Sequence, residues 1–163
     1  MLRIGVKLPP GITRLGEFVA DVTALEAAGA DSIWLEVSSE PTPEQLIQIG
    51  AMLAVTHRVG LGLIAPPAAT PSRGFDAALL AIQALTSGRA LAAKRSGLGL
   101  LVAGEPWAEA DAGKDRAAWR ELLEKHAGEH RAGLIVAWDP RLVDLLRNSD
   151  GDDDRSDLLI STG

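Results

Sequence analysis

The sequence predicts one α/β domain of about six parallel strands, and three observations carry that expectation. Short apolar runs that end at proline or glycine alternate along the chain with longer stretches whose apolar residues recur at helical spacing. Such alternation argues for βαβ units with right-handed crossovers. At 163 residues the chain suits a single domain that hides roughly 70% of its unfolded surface, with no length left for a second.

Arg3 to Leu8 reads as the first strand, closed by Pro9-Pro10-Gly11 because proline cannot donate to a ladder. A helix follows, with Leu15, Phe18, Val19, Val22 and Leu25 at helical spacing, Thr13 as its N-cap and Gly29 as the left-handed residue that ends it. Asp31 to Val37 is the second strand. Thr42-Pro43-Glu44-Gln45 joins an N-cap, a first-turn proline and a capping-box glutamine, which starts a helix running to about Val55. Val59 to Ala65, apolar and glycine-bearing, suits a strand buried on both faces and stops at Pro66-Pro67.

Phe75 to Leu85 makes the third helix. Ala90 to Ser96 supports two readings, strand or helix, since Ala90-Leu91-Ala92-Ala93-Lys94-Arg95 has helical propensity; the next strand is placed at Leu98 to Ala103. Asp115 to His126, with Trp119, Leu122 and Leu123 on one face, is a helix, and Gly133 to Trp138 a strand. Asp139-Pro140 opens a helix through Leu146, and Leu158 to Ser161 reads as the last strand.

Sixteen basic and 22 acidic side chains give a net charge of −6, with no cationic cluster of the kind a phosphate backbone requires, so nucleic acid is not an expected partner. The absence of cysteine leaves no disulfide framework or thiolate site and fits a reducing compartment; cytoplasm is the expectation. No apolar run approaches the ~20 residues of a membrane span, nor does the start of the chain hold a signal-peptide core. Tyrosine is absent, which leaves four tryptophans as the main aromatic resource.

Four short motifs then occur in a fixed order: Arg3-Ile4-Gly5-Val6-Lys7-Leu8-Pro9, Ala28-Gly29-Ala30-Asp31-Ser32-Ile33-Trp34-Leu35-Glu36, Thr56-His57-Arg58-Val59-Gly60-Leu61-Gly62, and Leu85-Thr86-Ser87-Gly88-Arg89, followed by Gly104-Glu105-Pro106-Trp107. Together they resemble the luciferase-like monooxygenase family, whose members are (β/α)8 barrels that use a flavin or a deazaflavin. A complete barrel of that kind needs about 250 residues. The resemblance therefore implies a shortened or incomplete TIM-like (β/α) barrel of about six parallel strands, with its middle units missing. Open strand edges on such a barrel would be covered by a helix, by closure with fewer strands or by a partner, hence an expected homodimer.

In parallel α/β architectures ligands bind at the carboxyl ends of strands. The candidates are Lys7, Leu8 and Pro9; Glu36 and Ser38; Ala65, Pro66 and Arg73; Gly104, Glu105 and Trp107; Trp138 and Asp139. The resemblance implies a cofactor ring over Ala65, where a small side chain leaves room, with Trp107 stacking on it and Leu8 and Gly104 nearby. FMN or a deazaflavin is the cofactor so implied. Glu36 and Glu105 are the candidate acid–base groups, since a carboxylate in a partly dry cleft shifts readily in pKa. Arg73, next to a helix start, stands in for the phosphate anchor that the family draws from later units. The function expected is a flavin- or deazaflavin-dependent oxidoreductase of monooxygenase type in shortened form, with a non-catalytic cofactor-binding or partner subunit as the alternative.

Two other motifs carry weaker chemistry. His126-Ala127-Gly128-Glu129-His130 has the H-x-x-E-H spacing of inverted zinc peptidases, but Gly128 weakens a helix there and the last-turn histidines are explained by the helix dipole. The acidic run from Asn148 to Asp157 lacks the glycine register of a calcium loop and reads as a solvated loop. His57, Trp34 and Arg89 read as structural.

Overall fold

Period-2 alternation in the strands divides the apolar side chains into two layers, one inside a ring of strands and one between that ring and the helices. The computed structural model describes residues 2–11, 14–65, 73–97 and 99–147. Its elements are β1 (Arg3–Lys7), α1 (Leu15–Ala28), β2 (Ser32–Glu36), α2 (Pro43–Val55), β3 (Gly60–Ile64), α3 (Arg73–Thr86), β4 (Ala90–Ser96), β5 (Gly99–Val102), β6 (Glu105–Ala110), α4 (Arg116–Gly128), β7 (Gly133–Ala137) and α5 (Leu142–Arg147).

The seven strands close in sequence order, β7 pairing back onto β1. Strands β1 to β4 are parallel, β5 is antiparallel to both neighbours, and β6, β7 and β1 are parallel again. This corrects the expected fold. The described residues form a closed, mixed barrel with five helices rather than a shortened or incomplete TIM-like barrel of about six parallel strands. The departure lies in one segment. Ala90–Ser96 and Gly99–Val102 are both strands, and Glu105–Ala110, expected as a strand-end loop, is a third. Ala103 (φ 51°) and Gly104 (φ 85°) form the two-residue turn between β5 and β6, with both positions left-handed as a hairpin of matching twist requires. Two hairpins thus replace helical crossovers. Closure also leaves no open strand edge among the described residues, so an open edge no longer argues for a dimer.

Most helix punctuation follows the sequence. Gly29 ends α1 at φ 94°, and Thr42 accepts from the Gln45 N–H while Gln45 accepts from the Thr42 N–H, closing the capping box of α2. The N-cap of α1 is Arg14, with no side-chain cap bond, while Thr13 lies outside the described residues. So do Pro66, Pro67, the acidic run and the strand expected at Leu158 to Ser161. Thr42→Ala removes the hydroxyl that accepts from the Gln45 N–H, leaving the bond from the residue-42 N–H to Gln45 Oε1, and is expected to lower the unfolding free energy by about 1 kcal/mol, read from urea melts.

The outer layer packs Phe18, Val22 and Leu25 of α1 and Trp119 of α4 against Val6, Leu61 and Leu134 of the strands. The inner layer is Trp34, Ile64, Ala93, Leu100, Val102, Trp107 and Ile135. Trp34 and Trp107 meet edge to face with centroids 5.9 Å apart, and Trp34 Nε1 donates to Ser32 Oγ at 2.7 Å. Glycine makes this filling possible. A Cβ on Gly5 or Gly62 would overlap the Trp34 indole, and one on Gly133 would overlap that of Trp107. At the end of the barrel where the parallel strands begin, Glu26 accepts from the N–H groups of His57, Arg58 and Val59, and the Arg89 guanidinium donates to the carbonyls of Val59 and Thr56. The Arg89 side chain thus ties this end of the barrel together, while His57 takes part through its backbone N–H. Among the described residues no helix is long and apolar enough to cross a membrane.

Candidate functional site

Inward-facing positions one step beyond the inner apolar layer place four charged side chains at the mouth formed by the C-terminal strand ends. Lys7 follows Gly5 on β1, Glu36 follows Trp34 on β2, Arg95 follows Ala93 on β4, and Glu109 follows Trp107 on β6. Arg95 links the two carboxylates, donating from Nη2 to Glu36 Oε1 at 2.8 Å and from Nη1 to Glu109 Oε2 at 2.6 Å. Lys7 Nζ donates to Glu109 Oε1 at 2.8 Å and lies 3.8 Å from Glu36 Oε2. Cation and anion alternate around the ring.

Burial pushes the Glu109 carboxyl up, but hydrogen bonds from Lys7 and Arg95 outweigh it and hold the group below the ordinary glutamate value. The hydrogen bond to Glu36 raises the Arg95 guanidinium above its ordinary value against the opposing effect of burial, and Glu109 adds to the rise. Both carboxylates are therefore engaged by cations. Arg95 Nε, in contrast, is buried without an acceptor among the described residues.

Two pockets open at this mouth and share Lys7 and Ala137. One, of about 340 Å³, is polar, with Arg95, Glu109 and Asp111 in its wall. The other, of about 360 Å³, sets Leu8, Pro9, Pro10 and Trp138 against Glu36. Together they make a slot with an apolar, aromatic side and a charged side.

The structure brings together only part of the predicted site. Leu8 and Glu36 line the mouth. Arg73 is the exposed first residue of α3, and Ala65 continues the ladder by donating its N–H to Ala93 O at 3.0 Å; neither lines these two pockets. Gly104 and Glu105 stand at the opposite end, because β5 runs down the barrel and its turn into β6 lies beside the start of β1, where Glu105 pairs with Arg3. Trp107 is 1% exposed inside the barrel, with the Arg3 guanidinium 5.1 Å from its ring centroid. Glu105 and Trp107 therefore do not join Glu36. Arg95 and Glu109 were not among the expected site residues. Their signal was alternation, in Leu91-Ala92-Ala93-Lys94-Arg95 and in Trp107-Ala108-Glu109, once both are read as strands.

The H-x-x-E-H segment does not assemble a metal site. His126 is 8% exposed with Nδ1 3.2 Å from Glu129 Oε2, and His130 lies past the end of α4 at φ 55°. No cluster of three or more metal-ligating side chains occurs among the described residues.

Fold and mouth define a closed mixed barrel with two adjoining pockets at one end. No protein-family model, curated protein or solved structure matches the chain.

Proposed function

We propose that this protein is a cytoplasmic relative of the luciferase-like oxidoreductases and binds a flat flavin- or deazaflavin-class ring at the mouth of its barrel. The observation that carries the reading is the slot itself, with Leu8, Pro9, Pro10 and Trp138 as an apolar wall opposite Lys7 and Arg95. A tricyclic ring needs such a wall, and its carbonyl and nitrogen acceptors need donors; Arg95 Nε, buried and without an acceptor among the described residues, is one. The motifs from Arg3 to Pro9 and from Ala28 to Glu36 support the choice of ring.

The phosphate of FMN fits less well than the ring. Glu36, Glu109 and Asp111 face Lys7 and Arg95 across the mouth, and both cations already hold carboxylates. Riboflavin is therefore expected to bind as tightly as FMN. When bound, such a ring supplies hydride or electron chemistry. The chain's part is to hold and orient it and to exclude water from one face.

A non-catalytic reading, in which the ligand is bound without turnover, is favoured by one observation: both mouth carboxylates are tied to Arg95, which leaves neither poised as a free general base. Equilibrium titration with riboflavin, FMN and a deazaflavin, following ligand and tryptophan fluorescence, tests the proposal. Micromolar binding, weakened about tenfold by Trp138→Ala through loss of aromatic contact, is the expected outcome. No binding of any of the three rejects it. Reduction of the bound ring by a reduced nicotinamide then separates an oxidoreductase from a carrier.

A further inference from the structure

The polar pocket of about 340 Å³ adjoins the apolar wall of Leu8, Pro9, Pro10 and Trp138 without sharing it. Its floor is aliphatic, formed by Ile135 of the inner layer and by Ala137 two residues further along β7. Charged groups, Lys7, Arg95, Glu109 and Asp111, make up the rest of the wall. Asp111 takes its place there because it continues the inward series of Trp107 and Glu109 one step past the end of β6.

These charges are unequally engaged. Lys7 Nζ lies 2.8 Å from Glu109 and 3.8 Å from Glu36, and Arg95 holds the same two carboxylates at 2.6 and 2.8 Å. Each cation thus already faces two anions. Asp111, in contrast, is exposed and has neither an ion-pair nor a hydrogen-bond partner among the described residues. Lys7 and Arg95 therefore stand against three carboxylates, Glu36, Glu109 and Asp111, and the surplus negative charge faces the cavity. Asp139, on the loop after β7, does not alter the balance, because Arg141 neutralises it at 2.8 Å.

We infer that the polar pocket seats a second reactant beside the ring, and that this reactant is a small aliphatic amine held as its ammonium ion, with Asp111 as counter-ion and Ile135 and Ala137 under its alkyl chain. The placing of a reactant here rests on the ring reading above, whereas the preference for a cation rests on the charges alone. An ammonium group brings three N–H donors, enough for Asp111 and for the lone pairs that Glu109 keeps beside Lys7 and Arg95. An anion would meet Asp111 while both cations in the wall are already engaged. A bare metal ion suits the pocket less well, since no group of three or more metal-ligating side chains forms among the described residues. Size agrees with a small molecule: at roughly 30 Å³ per water, the cavity has room for about eleven waters. A chain of net charge −6 also draws cations toward its surface.

Isothermal titration calorimetry of the full chain near neutral pH with n-hexylamine, n-hexanol and hexanoate tests this, because the three share an alkyl length and differ in charge. Hexylamine is expected to bind with submillimolar affinity, hexanol about tenfold or more weakly, and hexanoate not measurably. Asp111→Asn, at an exposed position, is expected to weaken hexylamine about tenfold while far-UV circular dichroism stays unchanged, and Asp111→Glu to keep most of the affinity. Added salt should weaken the amine and leave hexanol unmoved. Equal affinities for hexylamine and hexanol overturn the inference, as do tighter binding of hexanoate, no binding of hexylamine at millimolar concentration, or a folded Asp111→Asn variant that binds hexylamine as well as the wild type. The riboflavin titration is read separately. Riboflavin binding without hexylamine binding rejects the amine alone, whereas hexylamine binding without riboflavin rejects the ring, and with it the pairing of the two pockets, while the preference for a cation stands.

Discussion

Gly62→Val is expected to lower the unfolding free energy by about 3 kcal/mol, the upper part of the range for overpacked cores, and the melting temperature by about 10 °C. The first Cβ atom of any side chain at Gly62 would overlap the Trp34 ring. Trp34 has nowhere to retreat. Its Nε1 is bonded to Ser32 Oγ, Gly5 gives way to it on the neighbouring strand, and Trp107 stands edge-on at 5.9 Å. Valine suits a strand intrinsically, so a loss at this position reports packing rather than propensity. Trp34→Ala alone is expected to cost about 3–5 kcal/mol through the cavity it leaves. In Gly62→Val/Trp34→Ala the valine enters that space, and the double variant should be more stable than the sum of the singles by about 1–3 kcal/mol. Additive losses in calorimetry would show that the indole is not what holds Gly62 to glycine.

Gly5 and Gly62 show why part of this fold was legible and part was not. Glycine in Arg3-Ile4-Gly5-Val6 and in Gly60-Leu61-Gly62 reads locally as a weak point in a strand. Only the closed ring reveals Gly5 and Gly62 as the hollows that receive an indole from the neighbouring strand. Helix ends, in contrast, are set by neighbours within a few residues, so Gly29 and the Thr42–Gln45 capping box were readable directly. Ala90-Leu91-Ala92-Ala93 stayed open between strand and helix for the opposite reason. Its helical propensity is real, but the chain gains more by pairing Ala93 with both Ile64 and Val102 and burying it in the barrel.

That one segment also decided what could be foreseen of the site. Once Ala103-Gly104 is a hairpin turn instead of the end of an upward strand, Glu105 and Trp107 move from the mouth to the far end and the interior. Glu36 and Leu8 were legible because they end strands whose direction the alternation fixed. Arg95 and Glu109 were not, because both sit on strands flanking the inserted antiparallel one, and only its presence brings them to face each other at 2.6 Å.

Arg95→Met is the variant expected to change the mouth most. It keeps an unbranched apolar stem but leaves Glu36 and Glu109 with Lys7 as their only cation in the ring. The side chains are 27% to 40% exposed, so the expected cost at neutral pH is about 2 kcal/mol, between the near-zero worth of exposed pairs and the roughly 3–5 kcal/mol of buried ones. Its pH dependence follows from Glu109, whose carboxyl the cations hold below the ordinary value of 4.5. A folded-state pKa depressed in this way contributes stability that is present above 4.5 and is lost as pH falls through the folded value. Wild-type stability from urea melts should thus decline below about pH 4.5, and part of that decline should vanish in Arg95→Met, so that the two curves converge in acid. Curves that stay parallel from neutral pH downward would mean that Arg95 acts through packing alone. Ligand binding reads the same substitution independently, since removing the Nε donor should weaken a bound ring.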